Sequence, residues 1–221
     1  MIYIQKGKEP IAFTRWKKKH PKATYNNLHG KAMLALRNAL LQEQGFICCF
    51  CGRAIGKINL NIHQIIQKSL NKGDEHNISN AHIVPQSKDP LRTLDYNNIC
   101  ASCNTRKYSN EKHCDAKQGG DDLPISPLQK DCLSFFSFNS DGTIKANHLK
   151  PQSDQQKATD TIETLGLNDS VLNLEREKRI NMLQILPEEE FENAINRLAQ
   201  RRSNGEFEAF YFVPLSYYGK I

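Results

Sequence analysis

An α+β chain is expected, with helical segments at both ends and a cysteine- and histidine-rich middle. Three observations predict it. Apolar residues recur at helical spacing over residues 31–44 and again beyond Pro151. Six of the seven cysteines fall between Cys48 and Cys114. Two short β-prone runs flank Asp141-Gly142. At 221 residues the chain can bury one good core, or a small core with helical additions.

The elements follow in order. Residues 1–45 form a basic N-terminal segment and a helix. Its first thirty residues are irregular, with short helical potential around residues 11–19. The run KAMLALRNALLQEQ (31–44) places Ala32, Leu36, Ala39 and Leu40 on one face, and Gly45 supplies the stop. Residues 46–120 hold the chemistry. Within them, residues 57–72 alternate polar and apolar residues, which fits either a helix or an extended arm. Residues 121–221 begin with a turn-rich linker over 121–127, then a hairpin in SFFSFNSDGTI (134–144). Helices are expected over 155–165, over 168–186 with Asn168 or Asp169 as cap, and over 188–202. The last starts with three glutamates, as the helix dipole favours. The aromatic tail FEAFYFVPLSYY reads as strand-like or extended and as packed on its own domain.

Composition narrows the function classes. No apolar run approaches the ~20 residues that span a bilayer, and MIYIQKGKEP has no uninterrupted apolar core of a secretory signal. A cytoplasmic protein is expected. The net charge of +6 leans mildly toward a polyanionic partner. Arg15, Lys17, Lys18, Lys19 and His20 cluster around Trp16, the single tryptophan.

An odd number of cysteines in a chain without a signal argues against a disulfide framework, and their clustering argues for metal. Cys48-x-x-Cys51 followed by Gly52 is a zinc knuckle: two thiolates at this spacing reach one tetrahedral ion, and the glycine permits the tight turn. One knuckle is half a site. The second half is either Cys100-x-x-Cys103 or the pair Cys103 and Cys114 across a ten-residue loop. Spacing alone favours the first.

The order Cys48-x-x-Cys51, His82-Ile-Val-Pro, Asp95-Tyr-Asn-Asn98-Ile, Cys103 and Cys114-Asp115-x-Lys117 resembles the HNH endonucleases, the ββα-metal or His-Me finger fold. The resemblance implies a small zinc-stabilised ββα-metal module embedded between the N- and C-terminal helical segments. In the family pattern the second knuckle opens five residues after the asparagine. That implies Cys48, Cys51, Cys103 and Cys114 as zinc ligands, with Cys100 in place of Cys114 as the alternative. The segments EPIAFTRWKKKHP, ALLQEQGFICCFC, HIVPQS, LDYNNICASCN, HCDAKQ, LPISPL and TIETLGLND are similar to the retron-associated and Septu-type HNH nucleases of bacterial anti-phage defence (PtuB-like), over about residues 10–183.

Phosphodiester hydrolysis needs a deprotonated water, and a neutral imidazole with a pKa near 6.5 can take that proton. By the resemblance His82 is this general base and Asn98 a positional residue that ties the turn to the hairpin. Asp115 would bind the catalytic divalent ion, Mg²⁺ or Mn²⁺, as a hard oxygen ligand suits a hard cation. His113 is a second candidate ligand, and Lys117 and Arg106 are candidate phosphate contacts. The family places Asp or Glu just before the base; here that position is Ala81, whose methyl cannot coordinate a cation. Asn80 or Asp74 could substitute.

The expected function is a metal-dependent HNH endonuclease, the effector subunit of an anti-phage defence complex. The resemblance implies an ABC-type ATPase partner of the Septu class and extends to a retron reverse transcriptase with its msDNA. Ala81 favours the alternative, a non-catalytic zinc module that binds nucleic acid or docks on a partner.

Overall fold

The computed structural model describes residues 1–56, 78–83, 85, 87–103 and 112–221. The ambiguous run 57–72, Asp74 and Arg106 lie outside the described residues, as does most of the loop between Cys103 and Cys114.

Helix α1 (Ile11–Lys19) starts after Pro10 and ends in three lysines, which oppose the negative end of the helix dipole. Helix α2 (Gly30–Gln44) buries Ala32, Leu36, Leu40, Leu41 and Gln44. Gly45 ends it in the left-handed conformation, at φ 61° and ψ 36°. Gln44 then joins α2 to the centre of the molecule. Its amide nitrogen donates to the carbonyls of Ile47 and Ala101, each at 2.8 Å, and its oxygen accepts from Ala101 N at 2.7 Å.

The first knuckle closes through Gly52 N donating to Cys48 O at 3.0 Å. Strand β1 (Ile78–His82) pairs antiparallel with β2 (Ile99–Cys103), with His82 opposite Ile99 and Ala81 opposite Cys100. A one-turn helix, α3 (Asp115–Gln118), follows Cys114. Together these form a hairpin and a short helix beside the thiols.

The second sheet is the hairpin of β3 (Phe136–Phe138) and β4 (Ile144–Ala146). Its turn is set by Asp141, whose carboxylate accepts from Thr143 N and Oγ1. Three helices follow: α4 (Gln152–Leu165), α5 (Ser170–Gln184) and α6 (Glu188–Leu198). Asp169 caps α5 by accepting from Val171 N and Leu172 N. Asn168 bonds both backbone groups of Ile144 at 2.9 Å instead, tying α5's start to the hairpin.

The tail departs from expectation. It ends in helix α7 (Phe212–Tyr217), not a strand. Bulky aromatic residues raised the local strand preference, but burial of Phe212, Val213 and Leu215 decides the conformation. It does pack on the body of the chain: Phe210 N donates to Gly52 O at 2.9 Å. The main buried cluster runs from Met1 through α2, the knuckle and the strands to Val213, so all three segments feed one core. Among the described residues no helix is long and apolar enough to cross a membrane.

Candidate functional site

Two sites meet at the β1–β2 hairpin. The first is a cluster of thiols. Cys48, Cys51, Cys103 and Cys114 are all buried, and their sulfurs lie within 4.8 Å of one another. Cys48 and Cys114 are 3.8 Å apart, as are Cys51 and Cys103. A tetrahedral zinc with bonds of about 2.3 Å has sulfur–sulfur edges of about 3.8 Å, so the spacing fits that ion.

The charge balance points the same way. Burial opposes ionisation of Cys48, but hydrogen bonds from Cys103, Cys114, Cys49 and Cys51 outweigh it and hold that thiol well below its ordinary pKa. Burial, then Cys103, Cys48 and Cys51, push Cys114 well above. Four thiols in one dry pocket cannot all ionise together, and a dication removes that conflict. Cys114 sits at φ 56° and ψ −138°, a backbone conformation costly for a side chain with a Cβ. Its N–H donates to Leu165 O at 2.7 Å, which anchors the strained turn to α4.

Cys100 is not part of this group. It is buried in β2, next to Cys49, whose thiol is pushed up by burial and then by Cys100. The structure places His113, the second candidate ligand, beside the thiols. Its ring is fully buried, with Nδ1 at 3.2 Å from Cys114 Sγ and 3.8 Å from Cys103 Sγ. Nε2 lies 3.5 Å from Arg53 Nη1.

The second site is built on β1. His82 is 8% exposed, and Nε2 donates to Thr93 O at 2.9 Å. That bond makes Nε2 the protonated nitrogen and leaves Nδ1 as the basic one. Burial lowers the ring's pKa below 6.5, while the Thr93 bond and the charge of Asp115 partly oppose it. The ring is therefore neutral at pH 7, within electrostatic reach of a carboxylate. Asn98, 1% exposed, supports the turn that carries Thr93. Its Nδ2 donates to Arg92 O at 3.3 Å, and its carbonyl accepts from Ile83 N at 2.9 Å.

Strand geometry explains Ala81. Side chains alternate across a strand, so Asn80 and His82 share a face and Ala81 points to the other, where it is fully buried. Asn80 Nδ2 donates to the Tyr25 hydroxyl at 2.6 Å and meets Met33 Sδ at 3.5 Å. Its Oδ1 is buried with no hydrogen-bond partner among the described residues. A buried amide oxygen on the histidine's face is a hard donor of the kind a divalent cation takes.

Two residues were not legible as site residues in the sequence. Tyr25 packs edge-on against His82, with ring centroids 4.7 Å apart at 90°. Burial raises its phenol above the ordinary value; Asn80 and Arg37 oppose that, and Asp115 adds to it. Arg37 follows Met33 by one helical turn on α2 and carries a buried Nε with no partner among the described residues. Neither residue lies in a motif, since both come from the helical segment that precedes the knuckle. Lys117 is exposed and lines a separate depression with Glu163 and Gly166.

No protein-family model matches the chain. Over 148 residues it is 27% identical to a protein of Vibrio cholerae serotype O1 biovar El Tor named "Retron Vc95 putative HNH endonuclease". The match takes in 67% of this chain and 64% of that relative, so the chain spans just under two-thirds of its length. A mixed helix-and-sheet fold with four clustered thiols is thus joined, by sequence similarity, to a protein named as an HNH endonuclease of a retron.

Proposed function

We propose that the chain is a metal-dependent HNH endonuclease that hydrolyses nucleic-acid phosphodiester bonds as the effector of an anti-phage defence complex. The observation that carries this is His82: a buried, neutral imidazole whose Nε2 is fixed by Thr93 O and whose neighbour is the Asp115 carboxylate. Similarity to a retron-associated protein supports the defence setting. A retron reverse transcriptase with its msDNA and an ABC-type ATPase of the Septu class are the proposed partners.

In this reading His82 Nδ1 accepts a proton from the attacking water, and the Thr93 bond stabilises the imidazolium that results. Tyr25 fixes the ring from the side. Asp115 and Asn80 would hold the divalent ion, Asn80 supplying an oxygen that Ala81 lacks. Such an ion, Mg²⁺ or Mn²⁺, stabilises charge on the phosphate oxygens and the leaving oxygen when bound. Arg37 faces the same region from α2 and supplies positive charge to the phosphate. Zinc on Cys48, Cys51, Cys103 and Cys114 is structural: it locks the knuckle to the end of β2 and the start of α3, and so sets His82 against Asp115.

The test is cleavage of DNA and RNA substrates by purified protein, with partners where required, in Mg²⁺ or Mn²⁺. His82→Ala is expected to reduce cleavage at least a hundredfold, in keeping with loss of a general base, with zinc content unchanged. Equal cleavage by the variant removes His82 from the mechanism. No cleavage by either protein, with nucleic-acid binding retained, favours the non-catalytic zinc module.

A further inference from the structure

An open groove of about 440 Å³ lies between α1 and the start of α2. Trp16 forms its wall, with Gly30 and Ala32 in the floor. The His20 ring stacks on Trp16, with centroids 4.6 Å apart and planes 25° from parallel, and is held there by Nδ1 bonded to Trp16 O at 2.8 Å. His29 stands edge-on to the indole at 6.4 Å. Arg15, Lys19 and Lys31 line the groove and no acidic residue does. None of the three cations is paired with a carboxylate among the described residues. Lys17, on the opposite side of α1, contrasts with them: it is neutralised by Glu9 at 2.6 Å.

We propose that this groove binds a single-stranded nucleic acid, one base stacked on the Trp16–His20 pair and the flanking phosphates on Arg15, Lys19 and Lys31. Three cations beside an aromatic platform are what an unpaired strand needs, because each base then offers a π-face and each nucleotide a charge. A duplex keeps its base faces inside the stack and gains nothing from the indole. The volume suits a planar ring with part of its sugar.

Position gives the groove a use. Lys17 Nζ donates to Leu94 O at 3.2 Å, next to the Thr93 carbonyl that fixes His82. The segment that leaves α1 carries Tyr25 onto the His82 ring before it returns to the groove at His29. A strand seated on Trp16 that follows this segment from His29 toward Tyr25 would approach His82. That role as a feeding track rests on the nuclease reading above; the binding itself does not.

Trp16 is the only tryptophan, so its fluorescence reports on this groove alone. The full chain carrying His82→Ala, in buffer without divalent ions, is titrated with single-stranded DNA and RNA 12-mers and with a duplex. Saturable quenching by single strands is expected, with log K falling on log salt with a slope of about −2 for three phosphates. DNA and RNA arms show which sugar the groove takes. Lys19→Glu with Lys31→Glu is expected to weaken binding roughly tenfold or more, with helicity and zinc content unchanged, while Lys145→Glu on β4 leaves it intact. An indole unquenched by every oligonucleotide, or quenched equally by duplex, overturns the proposal. Quenching without any nuclease activity in wild type removes the track and the nuclease reading but keeps the site. Cleavage without quenching removes the site and the track but keeps the nuclease reading.

Discussion

At the scale of single residues, the proposed mechanism divides between His82 and Asn80 the work that the resemblance gave to adjacent positions. Burial lowers the His82 pKa below 6.5, so the folded chain binds this proton less well than the unfolded one. The stability it contributes is complete above about pH 6.5 and is lost as pH falls through the lower folded value. Cleavage by a neutral base follows the same limb. We expect the acid side of the pH–rate profile to lie below pH 6.5; a midpoint above it contradicts the environment described here. Asn80 gives a second test. Its unpartnered Oδ1 predicts that Asn80→Ala weakens Mn²⁺ binding by about tenfold, on the order of one lost ligand, and that Asn80→Asp tightens it. Calorimetry in the His82→Ala background reads this without turnover. Unchanged affinity in Asn80→Ala would leave the ion to Asp115 alone.

At the scale of elements, the thiol cluster is what joins a knuckle, a hairpin and a one-turn helix. None of these is stable alone: β1 and β2 have five residues each and α3 has four. A structural zinc contributes on the order of 10 kcal/mol, comparable with the whole stability of a domain. Cys114→Ser is therefore expected to lose zinc, measured by metal analysis, and to lose the cooperative unfolding transition. Cys100→Ser leaves the four sulfurs intact. It is expected to keep zinc and to cost about 1–3 kcal/mol for a buried hydroxyl. The opposite pattern would restore the pairing that Cys-x-x-Cys spacing alone favours.

At the scale of the whole molecule, one buried cluster draws on all three segments, and the C-terminal tail reaches back to the first knuckle. Gly52 has φ +83°, and a Cβ there would lie 2.4 Å from the Phe212 ring. Phe212 is 1% exposed. Phe212→Ala is expected to cost about 3–5 kcal/mol in denaturant unfolding and to loosen zinc. A loss under about 1 kcal/mol would mean that the tail is an accessory. The sequence by itself determined the helices and the second hairpin, because apolar periodicity, glycine stops and the Asp-Gly turn are local. It also pointed to a metal-binding thiol cluster, because the Cys48-x-x-Cys51 spacing is local. Which thiols cluster, that His113 turns toward them, that the aromatic tail coils, and that Tyr25 packs on His82 were decided only by tertiary structure. Each depends on contacts between residues far apart in the chain, and no local pattern encodes which distant surfaces exclude water together.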